Sequence, residues 1–172
     1  NADHLMNFPD FRAHERTFQM LSQVAGRAGR KALRGKVLIQ TYQPQHPIIQ
    51  KVIEGNYDQM LHQQLKDRKE YHYPPYNRLI RMVVNHSDME TVKKASQWIV
   101  NVLLQSDYGQ ILGPVFPPIA RVRNRYRMQI LIKIEGSQSR DRVKQIIRKT
   151  LDRFESIAIF RSCKVNLDVD PY

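Results

Sequence analysis

Two arginines that stand three residues apart carry the clearest chemical signal in this sequence. The segment Gln23-Val-Ala-Gly26-Arg27-Ala-Gly29-Arg30 places Arg27 and Arg30 on one face of a helix, with only small residues between them. Guanidinium groups grip phosphate oxygens in a planar, bidentate way, and the two glycines leave room for a ligand or another backbone. The segment indicates a triphosphate contact and ATP-driven work on nucleic acid. Its alternative interpretation is a basic helix end that stops at a glycine.

A second basic group lies about a hundred residues later. It consists of Arg121, Arg123, Arg125 and Arg127. Alternation along a strand places Arg125, Arg127 and Lys133 on one solvent-side face at about 7 Å per two residues, near the spacing of successive phosphates in a single strand. No acid occurs between Asp107 and Glu135. The pattern favours contact with nucleic acid or another polyanion over an ordinary solvated face.

Residues 139–149 form a third candidate surface, a helix with a basic outer face beside an apolar stripe. Such a face suits the docking of an acidic, hydrophobic peptide tail. An ordinary amphipathic surface helix explains the same pattern.

The composition narrows the class of protein. The 172 residues carry a formal net charge of +12, so we expect an anionic partner. The single cysteine, Cys163, excludes an internal disulfide, and the six histidines lack zinc-ligand spacing. No run of apolar residues is long enough to cross a membrane, and the first residues form neither a signal peptide nor a methionine start. We expect a cytoplasmic fragment without a membrane partner or a metal of its own.

The chain also lacks the parts that hydrolyse a nucleotide. Residues 29–36 superficially match a phosphate-binding loop, but five residues instead of four separate the glycines, and Val37 stands where a Ser or Thr must hold magnesium. No paired acids or nucleophile elbow stand out. We therefore expect this chain alone to be catalytically inactive.

The elements that position these residues follow from periodicity. Residues 12–28 are predicted as a helix and residues 37–42 as a strand, which together end an α/β unit spanning 1–45. Residues 46–75 are predicted as a helical connector, broken at Gly55-Asn56 and closed by Tyr73-Pro-Pro-Tyr76. Residues 1–45 lack partners for both faces of their strand, so we expect them to be poorly packed or unusually exposed.

Residues 76–172 alternate in the order βαββαβ. Strands are predicted at 79–84, 119–123, 126–134 and around 165–169. Helices are predicted after a capping box at 87–90 and over 139–154. This order is the α+β, ferredoxin-like split βαβ plan, in which two helices cover one face of a four-stranded antiparallel sheet.

Five blocks in a fixed order carry a family resemblance. Residues 23–30 resemble motif VI of superfamily 2 helicases. Together with residues 2–16, 73–76, 125–127 and 168–171, they closely resemble the bacterial primosomal protein N′ family of replication-restart helicases. By this resemblance the chain is the tail of the second helicase lobe followed by the C-terminal domain.

The resemblance implies roles for particular residues. Gln23, Arg27 and Arg30 contact ATP across the lobe cleft, with Arg27 and Arg30 catalytic and Arg30 the arginine finger. The family's phosphate-binding loop, magnesium-holding acids and zinc-binding cysteines have no counterpart here, so ATP, magnesium and zinc belong to the full-length protein.

The resemblance also implies partners. The full-length protein binds forked and single-stranded DNA, unwinds it 3′ to 5′ and works with other primosome proteins. Its C-terminal domain contributes DNA contacts and a site for the acidic tail of single-strand-DNA-binding protein, which we assign to Arg140 and Lys144. The alternative makes that domain chiefly a docking module for the acidic tail, with little DNA contact.

Overall fold

The computed structural model describes residues 1–28, 36–106 and 109–171. The first part of the molecule is helical. The described chain divides into a first unit, residues 1–71, and a second unit, residues 72–171. Residues 1–45 and most of the predicted connector thus fall in the first unit. None of the helices in the described ranges combines the length and apolar composition that a bilayer crossing requires.

The first unit contains four described helices, and all of them except the first, short one begin and end close to predicted positions. They are α1 (Asp3–Met6), α2 (Ala13–Ala28), α3 (Pro47–Glu54) and α4 (Tyr57–Glu70). Gly55 ends α3 in the left-handed region, at φ 66°, which costs a glycine nothing. The Asn56 side chain then caps α4 by accepting a hydrogen bond from the Gln59 backbone N–H. The predicted break at Gly55-Asn56 is confirmed.

The strand predicted at residues 37–42 is wrong. Residues 36–40 form neither strand nor helix, because the described part of the first unit contains no strand with which they can pair. The Gln40 carbonyl instead accepts a hydrogen bond of 2.9 Å from the Ala2 backbone N–H. Ile39 packs against the apolar residues of the unit, whereas Leu38 is 96% exposed.

Two small apolar clusters hold the first unit together. One contains Phe18, Ile48, Val52 and Met60, and the other contains Ala2, Met6 and Ile49. Ile53, which we expect on the buried face of α3, is 67% exposed. A helix turns by 100° per residue, so Ile53 lies one step beyond the stripe that ends at Val52.

The second unit is an antiparallel sheet with two helices packed on one face. Its strands are β1 (Asn77–His86), β2 (Gln110–Val115), β3 (Arg121–Val122), β4 (Arg125–Glu135) and β5 (Lys164–Val169). The main strand order is β2-β4-β1-β5, and β3 pairs with β4. The helices are α5 (Met89–Leu104) and α6 (Arg140–Ser156), followed by a short 3₁₀ turn, Ala158–Phe160. The predicted α+β, ferredoxin-like order is confirmed.

Alternation divides the sheet into a covered face and an open face. Ile80, Met82 and Val84 of β1 and their β4 partners join one buried cluster with residues of α5 and α6. Phe154 of α6 stacks on Phe160, with ring centroids 5.2 Å apart. Side chains of opposite parity on β1, β4 and β5 form the open face.

Two local predictions need correction. The second main strand is β2, Gln110–Val115, and not residues 119–123, of which only Arg121–Val122 pairs. The signal for β2 is broken by Gly113 and Pro114, where its register with β4 shifts. At the start of α5 the capping residue is Asp88, whose carboxylate accepts from the Thr91 backbone N–H at 2.7 Å, and not Ser87.

Candidate nucleic-acid interface

A tight turn between β3 and β4 presents the arginine-rich hairpin. Val122 pairs with Arg125, which leaves Arg123 and Asn124 as the two turn residues. Both have left-handed backbone angles, φ 48° and φ 59°, as a type I′ hairpin turn requires. Arg123 therefore lies at the exposed tip of the hairpin.

Arg121 packs on the opposite side of the hairpin from the other strand arginines. It pairs with Tyr126, a residue that packs against the buried core of the unit. Its guanidinium carbon lies 4.9 Å from the Tyr126 ring centroid, and the group donates to the Asn124 side-chain oxygen. These contacts hold Arg121 on the covered-face side of β4.

The guanidinium group of Arg125 contacts backbone carbonyls of the protein. The group donates to the Ser162 carbonyl at 3.1 Å and reaches the Asn85 carbonyl at 3.5 Å. The Nε atom is buried and makes no hydrogen bond within the described residues. Two of the nitrogens of Arg125 are thus directed into the protein, which leaves Arg125 less able than its neighbours to meet a ligand.

Arg127 lies on the open face with Arg125, but its guanidinium group makes fewer hydrogen bonds to the described part of the protein. It lies opposite Asn85 of β1 and is half-buried. Its backbone N–H donates to the Ala120 carbonyl at 2.8 Å. Within the described chain, the guanidinium groups of Arg123 and Arg127 form neither a hydrogen bond nor an ion pair, so both remain available to an anion.

Lys133 lies on the same face of the sheet as Arg125 and Arg127, as predicted, but the prediction that it meets solvent there is wrong. Its residue is only 6% exposed, and its ammonium nitrogen lies 3.9 Å from the ring centroid of Tyr73. Tyr73 precedes β1 and covers this end of the open face, a long-range contact that alternation does not reveal. Burial lowers the pKa of Lys133. Six residues of strand, about 20 Å, separate it from Arg127.

A cation on β5 is the residue that sequence reasoning missed. Lys164 pairs with Asn85, which in turn pairs with Arg127, so the three residues lie in one row across the open face. Lys164 is exposed. In the sequence, the alternation of side chains along β5 is the only signal for Lys164. That alternation shows which face Lys164 lies on once the register between β1 and β5 is known.

The basic helix predicted from sequence is α6. Ser139 caps it, and Arg140 and Lys144 are exposed one turn apart. Arg148 continues the same column four residues later and is also exposed. No ion pair engages these three side chains among the described residues.

The motif predicted to contact a nucleotide begins in the last two turns of α2. Gln23 and Arg27 are exposed there. A side chain built at Gly26 would meet no atom within 4 Å. Arg30 and Gly29 lie outside the described residues. The described ranges contain no group of three or more His, Cys, Asp or Glu side chains suited to a metal ion.

Comparison with known proteins places these surfaces in a family. Residues 69–172 match the family described as primosomal protein N C-terminal domain. The whole chain is 34% identical over 175 residues to replication restart protein PriA of Bacillus subtilis, of which it covers 21%. It is 40% identical over 173 residues to PriA of Synechocystis and 38% identical over 173 residues to PriA of Treponema pallidum. In both comparisons 99% of this chain is aligned, covering 20% and 25% of those relatives. The chain thus spans a fifth to a quarter of their length, and it belongs to the primosomal protein N C-terminal domain family.

Proposed function

We propose that this chain acts as part of a longer ATP-dependent 3′–5′ DNA helicase that restarts stalled replication forks, and that its second unit contacts the DNA. The relatives named replication restart protein PriA support the role of the longer protein in replication restart. The DNA contact rests on one observation, the pair of accessible guanidinium groups of Arg123 and Arg127. No acid follows them before Glu135.

The test of the DNA contact is a titration of the chain with labelled single-stranded and forked DNA at several salt concentrations. We expect affinity to fall with salt, and the double variant Arg123→Ala/Arg127→Ala to reduce the log–log salt slope by about 0.7 per lost phosphate contact. Lys94→Ala, on the exposed side of α5, is the control. A flat salt slope for the unmodified chain would refute the contact.

The same proposal gives the motif on α2 a catalytic role in the full-length protein. Arg30 acts as the arginine finger, while Gln23 and Arg27 contact the nucleotide phosphates. ATP and magnesium are held by segments beyond this chain, as is zinc. The chain by itself is expected to hydrolyse nothing.

An ATPase assay on the full-length protein that carries this chain tests the finger. Arg30→Ala is expected to reduce ATP turnover by about 10³-fold or more, the usual contribution of such a group, while DNA affinity is retained. Arg30→Lys is the matched variant, because it keeps the charge without the planar fork and is expected to rescue little. Normal turnover in Arg30→Ala would exclude the role.

A second candidate function is protein docking on α6, favoured by the exposed column of Arg140, Lys144 and Arg148. We propose that it binds the acidic tail of single-strand-DNA-binding protein, alongside other primosome proteins. Arg140→Glu/Lys144→Glu is expected to abolish binding of an acidic tail peptide and to spare DNA binding. If this variant loses DNA and keeps the peptide, the docking assignment fails.

A further inference from the structure

We propose that the open face of the second unit's sheet binds a single strand of nucleic acid that runs across the β-strands, from Arg127 on β4 over Asn85 on β1 to Lys164 on β5. The proposal rests on the DNA contact proposed above and extends it from the hairpin to the opposite edge of the sheet.

Two cations lie in one row across the open face. Arg127 and Lys164 are each opposite Asn85, on its two sides. Neighbouring strands lie about 4.8 Å apart, so the two Cα atoms are about 10 Å apart. Asn85 donates from its side chain to the Val83 and Lys164 carbonyls, at 3.2 and 3.3 Å. It is therefore held between the cations without a charge of its own.

The neighbouring row across the sheet carries two amide side chains. Gln129 and Asn166 both pair with Val83 and lie on its two sides. Asn166 is exposed and Gln129 is half-buried. Neither amide makes a hydrogen bond to another described residue. An amide both donates and accepts, so this row suits the edges of nucleobases, while the row of cations suits their phosphates.

Two contacts limit the site along the strands. In the row beyond Val83, Arg81 donates to the Asp168 carboxylate at 2.6 Å, so the nearest acid is neutralised by a partner of its own. Farther along, Tyr73 covers Lys133. A phosphate path along β4 is therefore closed at Lys133, and the accessible path turns across the sheet.

The amides favour a nucleic acid over an acidic peptide. The ionised side chains of a carboxylate-rich peptide would use the two cations, but they only accept hydrogen bonds and offer no donor to the amide oxygens in the next row. A base presents donors and acceptors together. The pairing of amides with cations thus fits an unpaired strand, whose bases are free to turn toward the sheet.

Side-chain amide NMR spectra of the full chain test the site directly. On addition of a short oligothymidylate, we expect the Asn166 and Gln129 side-chain signals to shift. The Gln97 and Asn101 amides, which bond each other at 2.9 Å on α5, are matched controls and are expected to stay. Equal shifts with a polyglutamate peptide, or shifts in the α5 pair alone, would overturn the proposal.

Affinity measurements with the same oligonucleotide separate this site from the hairpin. Lys164→Ala is expected to weaken binding several-fold and to reduce the salt slope by about 0.7, while Lys94→Ala leaves both unchanged. If Lys164→Ala binds normally and Arg123→Ala/Arg127→Ala does not, the DNA contact stands and the path across the sheet is wrong. If the unmodified chain binds no DNA, the proposed function fails first.

Discussion

The two units of the chain differ in where their apolar residues go. In the second unit, side chains from the sheet and both helices form one buried cluster. In the first unit, two small clusters contain the buried apolar residues that are described, apart from Ala13. Leu38 and Tyr42 are 96% and 88% exposed. The expectation that residues 1–45 are unusually exposed agrees with these values.

A local sequence pattern predicts burial where the strands and helices that cover it are present. A strand or helix stripe in the second unit meets its partners within the described residues, so its burial follows its periodicity. Residues 37–40 have an apolar sequence but no neighbouring strand, and their pattern produces no strand. The comparison predicts that substitutions in the two units have very different consequences.

The largest contrast is expected between Phe154→Ala and Leu38→Ala. Phe154 is 1% exposed and packs on Phe160 and Trp98, so its truncation is expected to cost about 3–5 kcal/mol of unfolding free energy. Leu38→Ala is expected to cost almost nothing. Trp98 is the single tryptophan, so urea unfolding followed by its fluorescence reports on the second unit. Amide hydrogen exchange in α2 reports on the first unit, where Leu38 lies. Equal shifts in the two variants would contradict the comparison.

Glycine substitutions are expected to act in opposite directions in the two units. Gly109 has φ 151°, and a side chain there would overlap the Lys133 carbonyl oxygen, so Gly109→Ala is expected to destabilise the second unit by about 1–3 kcal/mol. Gly26→Ala, in open space within α2, is expected to stabilise that helix by about 0.5–1 kcal/mol. Trp98 fluorescence measures the first effect, and amide hydrogen exchange in α2 measures the second. A higher urea midpoint after Gly109→Ala, or faster α2 exchange after Gly26→Ala, would be inconsistent with this account.

Removal of the α5 cap is expected to have a smaller, pH-dependent effect. Hydrogen bonds from the Thr91 hydroxyl and backbone N–H lower the pKa of Asp88. A carboxyl whose pKa falls on folding stabilises the protein above its unfolded-state pKa, about 3.9. That stabilisation is lost as the pH falls through the lower folded value. We expect Asp88→Ala to reduce the urea midpoint at neutral pH and to match the unmodified chain in strong acid. A constant difference at all pH values would rule out the carboxylate as the cause.

The smallest effect is expected from Lys133. Because burial lowers the pKa of Lys133, the unfolded chain binds more protons than the folded chain as the pH rises toward the ordinary lysine value of about 10.4. Stability contributed through Lys133 therefore rises with pH in that window. Lys133→Met is expected to remove this rise. Urea unfolding of both proteins at mildly alkaline pH, followed by Trp98, makes the comparison. An identical pH dependence would mean that Lys133 titrates normally.

Most of the second unit's fold is readable from the sequence because alternation and helical periodicity are local. The strand predicted at 126–134 becomes β4, and the helix predicted at 139–154 becomes α6. Strand β2 is not readable, since Gly113 and Pro114 interrupt its alternation. The capping box at 87–90 contains two candidate caps, Ser87 and Asp88. Which of them bonds to Thr91 depends on the backbone conformation where β1 ends.

The candidate site is less predictable, because register decides it. The arginines of the hairpin are evident in the sequence, but whether each guanidinium meets solvent depends on distant partners. Ser162 and Asn85 engage Arg125, and Tyr73 covers Lys133. Lys164 enters the site only through its pairing with Asn85. Such relations join residues that are dozens of positions apart, and no short window contains them.

At the hairpin tip, stability and positive charge favour different residues. Arg123 occupies a left-handed backbone position, φ 48°, that glycine adopts without strain. In a library selected only for thermal stability, we therefore expect glycine to replace Arg123. This replacement would also remove the positive charge at the tip of the hairpin. If arginine is kept under selection for fork binding and lost under selection for stability, then DNA binding and stability favour different residues at this position.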